Sequence, residues 1–217
     1  MKENSSKSLG SLSLSKGIIK DFLFSLISML FITWILFCAY TFFSVWKSCT
    51  QMYQPAEQEF LRIRIFGSSS SPDGNTISAE FSITDTNGNE IAAIERSWTG
   101  NYLAVEFSEV EFNDNYFLFP SKIYGKERIM QSKPQRNKST LLEKYYNENH
   151  QCMLLGFGSS FEERNMLYKI SRFATGNYLV PSFGHVTTYS LDLSNCRINT
   201  WYSIKRTADG NLVIVEI

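Results

Sequence analysis

The longest uncharged stretch of the sequence constrains the fold most strongly. Residues 22–46, FLFSLISMLFITWILFCAYTFFSVW, contain no charged side chain. As an α-helix rising about 1.5 Å per residue, this stretch is about 37 Å long, which exceeds the ~30 Å hydrocarbon core of a bilayer. Tyr40 and Trp46 lie near its far end, and amphipathic rings of this kind favour the membrane boundary. The sequence therefore predicts a transmembrane helix over residues 18–46.

A buried core helix, a cleaved signal peptide and a processed leader all fit this stretch less well. A core helix of a soluble domain rarely runs this far without a charge. The apolar region of a cleaved signal peptide is usually about 7–15 residues long and ends at small residues. A lipid-modified Cys38 would need a small residue where Phe37 stands, and a pilin-like leader after Gly17 would need an acid where Phe22 stands. We therefore expect an uncleaved signal anchor.

Flanking charges predict the orientation of the helix. Four lysines precede it, whereas only Lys47 follows closely. Because positive residues favour the cytoplasmic side, we expect a single-pass cell-membrane protein with its N-terminus in the cytoplasm and residues 47–217 outside. The polar, Ser-rich residues 1–17 are expected to form a flexible cytoplasmic tail. The four preceding lysines are Lys2, Lys7, Lys16 and Lys20.

After a connector at residues 47–57, strand patterns dominate. Short runs rich in β-branched and aromatic residues are separated by Gly, Asn and Asp, which favours an all-β domain over residues 58–217, an antiparallel sandwich or barrel. One short helix at about 140–149 interrupts the series, since Thr140 and Glu143 have the spacing of a capping box. The predicted strands are residues 60–66, 76–84, 90–96, 102–109, 116–119, 152–157, 166–173, 178–183, 185–193, 198–205 and 212–217.

A repeated motif bears on the turns. TGNYL occurs at residues 99–103 and again at 175–179, inside a longer match between residues 94–107 and 170–183. Glycine accepts positive φ and asparagine tolerates it, so each Gly-Asn pair in the sequence predicts a turn before a strand. We expect the repeat to be a recurring hairpin, while an arginine shared by both copies leaves duplication of a half-domain open.

One hairpin has a family resemblance. The stretch FSITDTNGNEIAAIER resembles the strand–DxxG–strand hairpin of phospholipid-scramblase and tubby-like barrels. The resemblance implies two antiparallel strands joined by a turn at residues 85–88. Those barrels enclose an apolar C-terminal helix, whereas this chain ends in the strand-like LVIVEI. The resemblance is confined to this hairpin, and we transfer no function from it.

Charge is segregated along the chain, although the formal net charge of zero gives no indication of nucleic-acid binding. Residues 65–121 hold nine acids and one base, and residues 122–138 hold six bases and one acid. We expect residues 122–138 to project as a basic loop toward anionic headgroups or an acidic partner, with docking onto the same domain as the alternative. The predicted contact residues of this loop are Lys126, Arg128, Lys133, Arg136 and Lys138.

Aromatic side chains and cysteines supply the remaining site predictions. Each aromatic residue has ordinary sheet packing as its alternative role. An extracytoplasmic location permits oxidation, so Cys152 and Cys196 are a candidate disulfide. The aromatic residues predicted to contact a partner are Trp98, Tyr102, Tyr178 and Trp201.

No motif in the sequence indicates chemistry. The His and Cys positions match no standard zinc or nucleophile pattern, and the acidic residues lack calcium-loop spacing. The sequence thus predicts no catalytic residue, no metal site and no cofactor. The predicted function is a bilayer-anchored, non-enzymatic module that binds a protein, a glycan or an envelope component. The alternative is a membrane-anchored hydrolase with dispersed carboxylates.

Overall fold

The computed structural model of the chain describes residues 16–71, 74–129, 139–176 and 180–217. The chain divides into two units, Met1–Tyr40 and Thr41–Ile217. The first unit contains most of one long helix, and the second contains the β-sheets.

Helix α1 spans Lys16–Gln51, and its part Ile19–Gln51 is long and apolar enough to cross a membrane. In the first unit its large apolar side chains are exposed, including Phe22 at 68% and Leu30 at 63%. A helix that is apolar on all sides is buried either in a protein core or in lipid. Since these side chains are not covered by protein, their composition and exposure match those of a membrane-spanning helix.

The helix extends further than the sequence predicted. It continues five residues past Trp46 to Gln51, through the first half of the predicted connector. Val45 and Cys49, one helical turn apart, are buried in the core of the second unit at 1% and 0% exposure. Residues 41–51 therefore belong to the β-domain, because one face of this segment packs against the sheets.

Gln54, in the second half of the predicted connector, is also fixed to the domain. Gln54 is buried, and its side-chain amide bonds Leu118 twice: Nε2 donates to the carbonyl oxygen at 3.2 Å, and Oε1 accepts from the backbone N–H at 2.7 Å. This pairing satisfies both polar ends of a buried amide, which would otherwise be costly.

In the part of the chain that the structure describes, eleven strands form two main antiparallel sheets and one small one. The first sheet has the order β11-β10-β1-β2-β3, the second has the order β6-β5-β4-β9, and β7 pairs with β8. The strands are β1 (Gln58–Ser71), β2 (Gly74–Thr84), β3 (Glu90–Thr99), β4 (Tyr102–Phe112), β5 (Asn115–Lys126), β6 (Ser139–Leu141), β7 (Asn147–Glu148), β8 (Gln151–Cys152), β9 (Val186–Asp192), β10 (Trp201–Arg206) and β11 (Leu212–Glu216).

The two main sheets pack face to face. Phe60 on β1 and Phe107 on β4 meet edge to face with their ring centroids 5.8 Å apart, and both are fully buried. Within the described residues neither sheet closes into a barrel, so the predicted antiparallel β class is confirmed in its sandwich form. Further side chains at 0% exposure are Leu61, Ile63, Phe81, Ile83, Leu103, Val105, Phe117, Phe119 and Ile123.

The short helix predicted at about 140–149 is present as α2, Glu143–Tyr146, but the capping box is not. Thr140 lies in β6, and its hydroxyl oxygen accepts hydrogen bonds from Trp98 and Arg96 on β3. The capping prediction was wrong because this threonine bonds to side chains of the other sheet instead of to the backbone N–H groups that begin α2.

A second and longer helix, α3 (Phe161–Ala174), replaces the strand predicted at residues 166–173. Its capping box is formed by Ser160, whose Oγ accepts from the Glu163 N–H, and by Glu163, whose carboxylate accepts from the Ser160 N–H. Leu167 and Ile170 are buried at helical spacing. The serine and glutamate already stood in the sequence, so the helix could have been predicted from them.

The Gly-Asn turns are partly as predicted. Gly88 and Gly210 have positive φ, +78° and +80°, in the β2–β3 and β10–β11 hairpins. At the first of these turns, buried Asp85 accepts hydrogen bonds through Oδ1 from the backbone N–H groups of Asn87 and Asn89, each at 2.8 Å. The two antiparallel strands implied by the DxxG resemblance are therefore present.

The first TGNYL copy is not a hairpin. Gly100 lies between β3 and β4, which belong to different sheets and do not pair. It has φ +136°, and a Cβ there would stand 2.7 Å from the backbone nitrogen of Lys126. Only glycine fits this close crossing of two backbones.

The second copy ends a helix. Gly176 has φ +72° just after α3, and residues 177–179 lie outside the described residues. The matched positions Ile94 and Ile170 lie in a strand and in a helix, so they do not occupy equivalent places in two half-domains. The two copies share only a glycine with positive φ, which joins two sheets in the first copy and follows a helix in the second.

Candidate functional site

A cleft of about 410 Å³ lies between the second sheet and the β10–β11 hairpin. It forms where β9, the edge strand of the second sheet, faces β11, the edge strand of the first. Its volume is in the range of small-ligand sites. The lining residues are Glu109, Tyr116, Leu118, Tyr189, Ser190, Leu191, Arg206, Asp209, Gly210, Asn211 and Leu212.

Strand register brings the lining side chains of the second sheet together. Glu109 on β4 pairs with Leu118 on β5, and Tyr189 on β9 pairs with Phe107, two residues before Glu109. Paired residues and alternate residues point to the same face of a sheet. Phe107 faces the first sheet, so Glu109 and Tyr189 line the open margin of that inner face.

Both tyrosines are held by carboxylates. The Tyr189 hydroxyl donates to Glu109 at 3.1 Å, and the Tyr116 hydroxyl donates to Glu111 at 3.2 Å. Burial and the bond to Glu109 raise the pKa of Tyr189, and the bond to Glu111 raises the pKa of Tyr116. Both phenols are therefore neutral at physiological pH, and 44% of Tyr189 remains exposed to the cleft and solvent.

Arg206, at the end of β10, is the one basic residue of the lining. Its Nε is buried and has no hydrogen-bond partner in the described part of the chain, where Arg206 also forms no salt bridge. The guanidinium lies over the β10–β11 turn, since a Cβ on Gly210 would be 3.6 Å from its Nη2. A guanidinium without an acidic partner can donate charge-assisted hydrogen bonds to oxygen atoms of a ligand in the cleft.

Acceptors and further donors complete the cleft. Glu109 and Asp209 contribute carboxylates, and Asn211 contributes an amide. The lining can therefore both donate and accept hydrogen bonds around two aromatic rings. In the described ranges no group of three or more His, Cys, Asp or Glu side chains is placed to hold a metal ion.

The basic residues predicted to project from one loop do not all lie in a loop. Lys126 lies in β5, not in a loop: its side chain is 4% exposed, and its Nζ lies 2.9 Å from Asp192 Oδ2. A buried, paired ammonium is not a surface contact. Arg128 is exposed, and its role as a contact residue stays a prediction. Residues 130–138, which include Lys133, Arg136 and Lys138, lie outside the described residues.

Two of the predicted aromatic contacts, Trp98 and Trp201, pack within the domain. Trp98 is buried at 3% exposure, and its indole donates to Thr140. Trp201 is half-buried, with the Arg64 guanidinium 4.9 Å from its ring centroid. Tyr102 is half-buried at the start of β4, and Tyr178 lies outside the described residues.

The candidate disulfide is not formed in the structure. Cys152 and Cys196 are both free thiols. Cys152 is fully buried in the core, and burial raises its pKa to about 12. Cys196 is partly exposed, and its burial raises its pKa to about 11. Both groups are therefore protonated and poorly nucleophilic near neutral pH.

The cleft residues were missed because no local pattern marks them. Tyr116, Tyr189 and Arg206 are widely separated in sequence, and strand pairing brings them to one cleft. Glu109 belongs to the acidic stretch, and Gly210 and Asn211 belong to a predicted Gly-Asn turn, but neither pattern predicted a binding site.

Comparisons with known proteins add no assignment to this geometry. Neither the protein-family models, nor the curated proteins, nor the solved structures contain a match to the chain.

Proposed function

We propose that the protein is a membrane-anchored, non-enzymatic binding protein whose β-domain takes its ligand in the cleft between β9 and the β10–β11 hairpin. The exposed apolar part of α1 supports anchoring by its length and composition. Arg206, which lines the cleft and forms no salt bridge within the described residues, is the observation that carries the binding role.

Among the partner classes that the sequence leaves open, the lining favours a saccharide. Sugar hydroxyls both donate and accept, which matches a guanidinium, an amide and two carboxylates in one cleft. The faces of Tyr116 and Tyr189 offer rigid, amphipathic contact area of the kind that binding sites use. A saccharide of the cell envelope is therefore the proposed ligand class.

The proposed orientation follows from the lysines before the helix. With the N-terminus in the cytoplasm, residues 41–217 lie outside it, on the side where envelope saccharides are found. The free thiols of Cys152 and Cys196 do not bear on this choice, since neither orientation requires them to pair.

Binding of the full chain in nanodiscs to a saccharide array tests the proposal. Arg206→Ala should weaken binding about tenfold or more, because a hydrogen bond from a charged donor contributes about 1.5–3 kcal/mol. Arg197→Ala is the matched control, since Arg197 is an exposed arginine outside the cleft lining, and it should bind like the wild type.

The array also separates the alternatives. Binding to no saccharide would contradict the ligand class, and binding unaffected by Arg206→Ala would contradict the site. Glu109 and Asp209 line the same cleft, as a hydrolase with dispersed carboxylates would need. Recovery of the bound saccharide intact supports the binding role, whereas release of shortened products that Glu109→Gln abolishes would favour the hydrolase.

A further inference from the structure

The turn at residues 182–185 carries an exposed aromatic side chain in a strained backbone. Phe183 has φ +50° and Gly184 has φ +85°, and the His185 N–H closes the turn on the Ser182 carbonyl at 2.9 Å. Positive φ is unfavourable for a bulky residue, and such strain often accompanies function. The side chain held there is not used in the core, because 66% of it is exposed.

The domain holds this turn firmly. The His185 ring stacks on Phe112 with their centroids 4.2 Å apart, and its Nδ1 lies 2.8 Å from the Glu111 carbonyl oxygen. The Glu111 N–H in turn donates to the His185 carbonyl at 3.0 Å. Ring stacking and backbone bonds therefore fix the position from which Phe183 projects.

The position is set by a contact with α1. The rings of Phe183 and Phe42 meet edge to face with their centroids 5.7 Å apart. The first unit ends at Tyr40. Phe42 lies two residues further, which is about 3 Å along a helix. Residues 19–40 alone span about 33 Å, which is enough for the ~30 Å hydrocarbon core.

From this geometry we infer that Phe183 is a membrane contact of the β-domain, inserted into the headgroup–acyl boundary beside α1. The interfacial layer is about 5–8 Å thick on each side, so a ring touching Phe42 lies within it. Phe43, which is exposed at 59%, lies three residues or about 4.5 Å beyond Tyr40 and belongs to the same layer by its position in α1. Aromatic side chains favour this layer.

The inference rests on the proposed membrane span but is distinct from ligand binding. We assign the exposed ring of Phe183 to lipid and not to a protein partner because it contacts Phe42, which directly follows the proposed membrane span in α1. The strained turn is then explained, since a turn with two positive φ residues presents the ring at its tip.

Photocross-linking of the full chain in vesicles of phosphatidylethanolamine and phosphatidylglycerol tests the inference. The photoreactive residue p-benzoylphenylalanine replaces Phe183, Phe31 or Phe157 in three separate variants, and mass spectrometry measures the lipid adducts. Phe31 lies in the proposed span and is 58% exposed. Phe157 is the matched control, an exposed turn phenylalanine at 78%.

The control residue Phe157 lies near the C-terminal end of α1, whereas Phe183 contacts α1 at Phe42. Its neighbours Leu155 and Ser159 line a small cavity with Gln51, ten residues or about 15 Å beyond Thr41 along α1. Position 183 should give about tenfold more lipid adduct than position 157, because only a side chain held at the boundary meets acyl chains continually.

Three results would overturn the inference. Lipid adduct at position 31, together with no more adduct at position 183 than at position 157, would support the span but contradict the membrane role of Phe183. Cross-links from position 183 to a second copy of the chain would assign the turn to a protein interface. Absence of lipid adducts at position 31 would contradict the membrane span itself, and with it this inference.

Discussion

The indole Nε1 of Trp98 donates a hydrogen bond of 3.0 Å to the Oγ1 of Thr140. Trp98 lies on β3, an edge strand of the first sheet, and Thr140 lies on β6, an edge strand of the second. The bond therefore joins the two sheets at one margin of the sandwich, while the margin formed by β9 and β11 holds the cleft. Hydrogen bonds therefore join the two sheets at the β3–β6 margin, and the candidate site lies at the opposite margin, between β9 and β11.

The first prediction concerns the β3–β6 margin. Thr140→Val should lower the free energy of unfolding by about 1–3 kcal/mol, because the buried indole N–H loses its acceptor. The hydrogen bond from Arg96 Nη1 to the same oxygen is lost as well. Urea denaturation of the protein in detergent measures the change. Thr188→Val, on the exposed edge of β9, is the control and should stay within about 0.5 kcal/mol of wild type. Equal stability of the two variants would contradict the role of this bond.

The second prediction concerns Gly156, which packs against the β2–β3 turn. A Cβ at this position would stand 2.5 Å from Asp85 Oδ2, and the residue has φ +81°. Asp85 cannot move freely because Asn87 and Asn89 donate to it. Gly156→Ala should therefore destabilise the domain by about 2–4 kcal/mol, measured by chemical denaturation.

Gly158 is the matched control for this substitution. A Cβ there would meet no atom within 4 Å, and its φ is not in the positive range. Gly158→Ala should be neutral or slightly stabilising, because it only reduces the freedom of the unfolded chain. A loss of stability equal to that of Gly156→Ala would show that the clash with Asp85 is not the cause.

The third prediction concerns the buried ion pair between Lys126 and Asp192. Asp192→Asn leaves an ammonium in the core without its counter-charge and should cost about 1–3 kcal/mol, less than for a fully enclosed pair because the Asp192 side chain is 36% exposed. Adding Lys126→Met should recover most of the loss, since no charge is then left buried. A double-mutant cycle in denaturant measures the coupling. If the double variant were no more stable than Asp192→Asn, the pairing would not be the source of the loss.

The fourth prediction concerns acid stability through Glu59. Burial alone would raise the pKa of this carboxyl, but hydrogen bonds from Arg62 and Ser203, each at 2.6 Å, outweigh it and hold the pKa below its ordinary value of 4.5. A depressed pKa in the folded state stabilises the fold above the unfolded-state pKa. That stabilisation is lost as pH falls through the folded-state value.

Denaturation at several values between about pH 7 and about pH 3 measures this effect. The free energy of unfolding should fall as the pH drops below 4.5, and Glu59→Gln should make that fall shallower. An unchanged slope in the variant would place the acid sensitivity elsewhere.

The fifth prediction concerns orientation. In a Cys196→Ser background, a membrane-impermeant thiol reagent on intact cells should modify Ser70→Cys and should not modify Ser11→Cys. Ser70 is exposed on β1, so its label reports the side on which the domain lies. The buried Cys152, with its pKa raised to about 12, adds no background. The reverse labelling pattern would place the β-domain in the cytoplasm and contradict an envelope ligand.

The sequence alone was sufficient for the large-scale organisation. An uncharged run from residue 22 to residue 46 specifies an apolar helix by length and composition, and alternating β-branched and aromatic residues specify strands. Gly88 and Gly210 marked hairpin turns because positive φ is a local property of glycine. These features depend on near neighbours in the chain, so they can be derived from the sequence.

At several positions the local pattern gave a wrong prediction, and tertiary contacts determined the structure instead. Thr140 and Glu143 have capping-box spacing, yet the threonine bonds Trp98 across the sandwich, and the box used is that of Ser160 and Glu163. TGNYL has two different structures because Gly100 meets the backbone of a strand far along the chain. Long-range contacts of this kind outweigh local preference, since burial and polar satisfaction depend on the whole fold.

The candidate site depended entirely on the tertiary structure. Glu109, Tyr189 and Arg206 lie on three strands, and only the register of β4 with β9 and the closeness of the two sheet edges bring them to one cleft. Lys126 shows the converse, because a basic residue predicted at the surface is buried against Asp192. The sequence by itself determined a membrane-type helix followed by an antiparallel β-domain. Which side chains are satisfied internally, and which line the cleft, was decided by strand pairing between distant segments.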